Sequence, residues 1–163
     1  MTIENLDDLF LHTLKDVLYA ERKILKALPK MERKATDAKL KSALSSHRDE
    51  TEDHVTRLEE IFEMLGKPAR GAKCDAIVGL VEEAEGLMGE IEDAETMDAA
   101  LISLAQAVEH YEIARYGTLA AWAMQLGHPK AAALLKETLD QEYQADKALS
   151  KLAETRLNAS AAA

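Results

Sequence analysis

Apolar residues recur at intervals of three and four along nearly the whole chain, with no strand-like alternation of useful length. That period is the one-sided pattern of amphipathic helices. A first helix is expected from about Ile3 to Lys34, with Leu14, Val17, Leu18, Ile24, Leu25 and Leu28 inward. Pro29 lies inside it and removes an amide donor, so a kink or an early end near "ALPKM" is expected. A second helix should run from about Asp37, a good N-cap, to Leu65, where "LGKP" supplies a stop through Gly66 and Pro68.

After that stop, Ile77, Leu80, Val81, Ala84, Leu87, Met88 and Ile91 suggest a short helix, weakened by Gly79, Gly86 and Gly89. A third long helix is expected from about Thr96 to Leu126, ending at "LGHP". A fourth is expected from Pro129 to Leu157, with a frayed tail "NASAAA". Two hairpins with short turns are thus joined by about 30 residues, enough chain to return along a bundle. The pattern predicts an all-α, ferritin-like four-helix bundle: two antiparallel helical hairpins and a long crossover carrying a short helix, in one domain over residues 1–163.

The inward stripes are not wholly apolar. On the second helix, Leu58, Ile61 and Leu65 share their face with His47, Glu50 and His54. Glu21 sits among Leu14, Val17, Leu25 and Leu28. Glu112 sits among Leu101, Ala105, Val108, Tyr116 and Leu119, while Glu142 and Asp146 accompany Leu135, Leu139 and Leu149. Each of the four glutamates lies about 14 to 16 residues from its hairpin turn, or about 21 to 24 Å along the axis. Antiparallel packing would bring them to one level. The halves also echo one another: Glu112 follows Glu21 by 91 residues, while Glu142 follows Glu50, and Asp146 follows His54, by 92.

Ionised carboxylates crowded in a dry core cost several kcal/mol each and repel one another. Few basic residues share these faces, Arg115 and Arg156 being the nearest. Two divalent cations would resolve the conflict, and carboxylate oxygens with one or two imidazoles suit iron or manganese. The expected ligands are Glu21, Glu50, His54, Glu112, Glu142 and Asp146. His47 reads as a supporting donor or a satisfied core histidine. Glu109 reads as an extra ligand or, preferably, a solvated rim residue. Taken singly, each carboxylate also reads as an interface group, and the whole set as protonated or wetted by internal water.

Composition agrees with long helices: aromatics are 4% and Gly plus Pro only ten residues. The formal charge of −10 argues against nucleic acid and anionic membranes as partners. Cys74 is the only cysteine, so no intrachain disulfide forms. No signal peptide and no apolar run near 18 residues is evident, and a cytoplasmic location is expected.

Four stretches, "DVLYAERKILKALPKM", "HRDETEDHVTRLEEIFEMLG", "QAVEHYEIARYGTLAAWAMQLG" and "TLDQEYQADKALSKLA", resemble the YciE/YciF family of bacterial stress-associated ferritin-like proteins. The resemblance spans nearly the whole chain, and "VEHYEIARYGTL" carries most of it. It implies a homodimeric four-helix bundle, distantly related to rubrerythrins and other di-metal carboxylate proteins, and supplies no activity of its own. Ferritin-like di-iron sites use Glu-x-x-His on two helices. Here His54 follows Glu50 by four, Asp53 points away from the core, and Ala145 stands three after Glu142. The ligand set is therefore richer in oxygen than usual, which keeps manganese open beside iron. Two functions compete: a di-metal oxidoreductase acting on peroxide or oxygen, and a non-catalytic metal-binding or structural homodimer with an inert or empty site.

Overall fold

The computed structural model describes residues 2–163. It contains α1 (Leu6–Lys34), α2 (Ala38–Met64), α3 (Asp75–Glu90), α4 (Ala94–Gln125) and α5 (Pro129–Leu152), then a π-helical turn (Ala153–Leu157) and α6 (Asn158–Ala161). Round the bundle the order is α1, α2, α5, α4, each long helix packing on two neighbours, with α3 laid against α1 and α4. This is the expected two-hairpin bundle with one long crossover. No described helix is long and apolar enough to cross a membrane.

Capping residues set the starts. The Asn5 side chain accepts from the amide of Asp8, Asp37 from those of Lys39 and Leu40, and Asp93 from that of Thr96. Asp7 and Asp8 in the first turn of α1, and Arg33 and Lys34 in its last, oppose the helix dipole. The stops after α2 and α4 share one chemistry. Gly66 (φ 63°) and Gly127 (φ 78°) take the left-handed conformation after α2 and α4. Lys67 then donates to the Phe62 carbonyl at 2.9 Å and His128 to that of Ala123 at 2.8 Å, satisfying carbonyls that the helix end would orphan.

Three expectations are corrected. The first helix begins at Leu6 rather than Ile3, because Asn5 caps it. It does not end early at Pro29 but reaches Lys34, the limit its period set, with Leu28 and Met31 buried on either side of the proline. The C-terminal tail stays helical to Ala161 instead of fraying after Leu157.

The crossover is anchored at several points. Ala72 donates to the Lys15 carbonyl at 3.0 Å, and a Cβ on Gly71 would stand 3.0 Å from that of Tyr19, so only glycine lets the loop approach α1 this closely. Cys74 lies 3.1 Å from the Tyr111 hydroxyl.

Two apolar clusters fill the bundle. One, at the end closed by Gly66 and Gly127, holds Phe10, Leu14, Leu18, Leu58, Phe62, Tyr116, Leu119 and Leu135. The other holds Ile24, Leu28, Leu40, Leu44, Leu101, Leu149 and the inner face of α3. Between them, on every long helix, lies a polar layer.

Candidate metal centre

The polar layer is built by one helical turn each of α1, α4 and α5 and by two turns of α2. Glu21 comes from α1, His47 and His54 from α2, Glu109 and Glu112 from α4, and Glu142 from α5, all at most 6% exposed. His47 and His54 are seven residues apart, two turns, so both rings project from one face of α2. The 3.6-residue period thus delivers six titratable groups to one level of the core.

Their ligating atoms form two overlapping groups. One atom each from Glu21, His54 and Glu112 lie within 4.8 Å of one another, and so do atoms from His47, Glu112 and Glu142. Glu112 belongs to both. Its two oxygens, both oxygens of Glu142, Oε2 of Glu21 and Oε2 of Glu109 have no hydrogen-bond partner. Neither arginine that the sequence offered as a counter-charge reaches them: Arg156 pairs with Asp37 at 2.6 Å, and Arg115 stacks over the Tyr111 ring.

His54 explains how the layer is oriented. Arg57 donates to Oε1 of Gln141 at 2.7 Å, which identifies that atom as the oxygen, and the same oxygen lies 3.2 Å from His54 Nε2. Nε2 must therefore carry the proton. In the neutral ring this leaves a lone pair on Nδ1, which sits 3.4 Å from Glu21 Oε1 and 3.3 Å from Glu142 Oε1 without hydrogen-bond geometry to either. A lone pair facing two carboxylate oxygens is the arrangement a cation relieves. Tyr116 donates to Glu21 Oε1 from the opposite side, fixing that carboxylate.

The electrostatics carry the same strain. Burial drives the carboxyls of Glu112 and Glu142 well above the ordinary range. For Glu112 the charges of Glu142 and Glu21 add to it; for Glu142 those of Glu21, Glu109 and Glu50 do. Burial, with the charges of Asp146 and Glu50, pushes Glu109 up to about 8. Glu21 goes the other way: burial raises it, but the adjacent His54 ring and the bond from Tyr116 outweigh that and hold it below the ordinary value. Burial and the nearby His54 push His47 down to about 4, so it is neutral at physiological pH.

Of the residues expected from sequence, the fold brings Glu21, His54, Glu112 and Glu142 together at the centre. Glu50 is half-buried beside His47 and Glu109, in a cleft that opens between α2 and α5. Asp146 turns to the edge of the layer, where it accepts from Gln106 Nε2 at 2.9 Å and lies 3.1 Å from His110 Nε2. Glu109 corrects the solvated reading, being 1% exposed. His47 was legible only as a residue on the right stripe. Its counterpart by the 92-residue offset is Leu139, so the echo between halves gave no signal for it.

The donor set could hold a hard or borderline divalent ion: carboxylate oxygens in excess, two imidazoles, and one carboxylate shared between two groups.

Comparison with known proteins places the chain in a family. The family model described as "Domain of unknown function (DUF892)" matches residues 5–162. Protein YciF of Escherichia coli (strain K12) is 43% identical over 159 residues, covering 97% of this chain and 96% of that protein. The crystal structure of the E. coli stress protein YciF superposes with a TM-score of 0.91, covering 96% of this chain and 99% of that one. YcfI from Rhodopseudomonas palustris, 48% identical, superposes with a TM-score of 0.89 over 91% of this chain and 94% of its own. A Xanthomonas campestris protein at 21% identity shares the fold, with a TM-score of 0.75 over 92% of each chain. With a family match over nearly the whole length and a close relative across it, the chain belongs to the YciF-like DUF892 family.

Proposed function

We propose that the polar layer is a dinuclear site for iron or manganese, and that the protein serves stress protection by handling peroxide or oxygen, or the metal itself. The observation that carries this reading is the set of buried, partnerless carboxylate oxygens around the Nδ1 lone pair of His54. Glu21 and His54 would hold one ion, His47 and Glu142 the other, with Glu112 between them. Glu50 and Asp146 remain candidates at the margin. A bound pair of redox-active ions would supply two neighbouring one-electron centres, matched to the two-electron reduction of a peroxide.

The chain's own residues do the rest. Tyr116 and the Gln141–Arg57 pair orient Glu21 and His54. Leu18, Leu58 and Tyr116 on one side, and Leu44 and Leu101 on the other, exclude bulk water from the layer. A homodimer in the cytoplasm is the setting that the family resemblance and the acidic, single-cysteine composition support.

The test is metal binding to protein prepared without metal. Iron(II) or manganese(II) should bind at two ions per chain, and an anomalous-scattering map should put both within the layer. Peroxide consumption by the loaded protein separates the reactive from the inert reading. A chain that takes up neither ion leaves the carboxyls protonated and the metal reading wrong.

A further inference from the structure

The centre is buried, yet one face of the layer reaches solvent. A cleft of about 310 Å³ opens between α2 and α5, and exposure along its walls is graded. Ser46 and Ala148 at the mouth are exposed, Ala145 and Glu50 are half-buried, and His47 and Glu109 at the floor are buried. Small side chains keep it open: where α2 and α5 face each other here, Ala43 and Ser46 meet Ala145 and Ala148. Larger residues at these positions would seal the seam as leucines do elsewhere in the bundle.

The lining selects by charge. It includes two carboxylates and no lysine or arginine. Two floor atoms, Oε2 of Glu109 and Nδ1 of His47, are buried without a hydrogen-bond partner. Both line the floor of the cleft, and His47 already belongs to the group with Glu112 and Glu142. A water's share of liquid volume is about 30 Å³, so the cleft has room for a partly hydrated ion. Acidic walls of low dielectric concentrate cations and repel anions.

We infer that this cleft is the route by which divalent cations reach the buried layer, with Glu50 receiving the ion near the mouth and Glu109 and His47 drawing it inward from the floor. The inference rests on the metal reading above and adds the path, its charge selectivity and the residues that keep it open. Glu109 then has a role without being a permanent ligand. It is a buried carboxylate on the floor of the cleft, outside both central groups.

Stopped-flow uptake of cobalt(II), followed by the visible absorption it gains in a protein site, tests the route on metal-free full-length chain. Ala145→Leu and Ala148→Phe narrow the passage, and Ser46→Arg puts a positive charge at its mouth. Ala133→Phe, on an exposed face of α5 outside the cleft, controls for bulk. The three cleft variants should load at least ten-fold more slowly while binding the same final amount, and the control should load at the wild-type rate. Ser46→Arg and Ala148→Phe alter exposed positions, so they report even if Ala145→Leu does not fold. If wild type loads and the cleft variants keep its rate, the route is wrong and the metal reading stands. Reduced final binding at an unchanged rate also overturns the route. Failure of the wild-type chain to bind cobalt(II), iron(II) or manganese(II) overturns both.

Discussion

His54 and Gln141 meet across the seam between α2 and α5, with the imidazole Nε2 3.2 Å from the amide Oε1. Arg57 holds that oxygen in place from the next turn of α2, and also reaches Glu137 at 2.7 Å. The contact fixes both the tautomer of His54 and the direction of its free lone pair, which is how outer residues tune a metal ligand. Replacing Gln141 by Leu should therefore weaken metal binding by about 10- to 100-fold. Gln141→Glu, which keeps an acceptor, should recover most of the loss. Metal titration of the two variants by calorimetry, with helical content from circular dichroism as the control, checks the contrast. Equal loss in both would assign the effect to packing.

Stability of the metal-free chain should fall steadily as pH rises from about 5 to about 8. In the unfolded chain a glutamate titrates near 4.5, whereas folded Glu109 holds its proton to about 8 and Glu112 and Glu142 are shifted the same way. The folded form binds more protons across that window, so stability falls as pH rises through it. His47, lowered from 6.5 to about 4, stays neutral while the unfolded chain protonates, an acid loss that offsets only one of the three carboxyl protons and leaves the turnover near pH 4.5. Glu21, held below its ordinary value, adds to the acid loss. Each kcal/mol moves the melting temperature of a chain this size by about 2–4 °C, so the fall from pH 6 to pH 8 should reach about 5–10 °C. Saturating manganese(II) should flatten that limb, because the ion takes the place of the protons. Melting curves across pH with and without metal measure both slopes, and an alkaline limb unchanged by metal would count against the site.

Glu112 should be costly to the metal-free fold and indispensable to the loaded one. Both of its oxygens are buried without partners, and it faces Glu21 and Glu142 at once. Glu112→Gln keeps the volume and removes the charge. At pH 8 the metal-free variant should melt about 3–6 °C above wild type, while holding fewer than two ions per chain. Stability and stoichiometry moving in opposite directions is the signature of a group kept for binding. A variant that is stabilised and still binds two ions would remove Glu112 from the centre.

The helical period, the stops at Gly66 and Gly127, and the equal depth of Glu21, Glu112 and Glu142 were all legible in the chain. They depend on local geometry alone, in which each turn advances by a known distance. What periodicity cannot supply is the distance to the next helix. Glu109 lies at the rim of its stripe by angle, yet it is buried where α5 presents Ala145 and Ala148 across the cleft. Asp146 shares the angle of a ligand but is drawn to Gln106 and His110, partners that only the packed α4–α5 pair brings near. The early end that Pro29 suggested does not occur, and Leu28 and Met31 are buried on either side of it.

A buried acid outside the centre offers a matching control. Asp98, on α4, is 3% exposed and accepts from the Thr36 amide at 2.7 Å, the Thr36 hydroxyl at 2.6 Å and the Asp37 amide at 2.9 Å. It holds the α1–α2 turn, and Asp37 in turn caps α2 and pairs with Arg156. Unlike Glu112, it has a donor for each oxygen, so its charge stabilises the fold. Asp98→Ala leaves two amides to find new partners and should cost about 2–4 kcal/mol, since bonds to charged acceptors contribute about 1.5–3 kcal/mol each and water recovers part of that. The melting temperature should fall by about 5–15 °C. Ions bound per chain should not change, because α1 and α2 meet the metal layer more than two turns away from this staple. Denaturant unfolding read beside metal titration separates the two kinds of buried acid. Loss of metal with little loss of stability would mean that the turn, and not the mid-bundle level, governs how α1 and α2 are set.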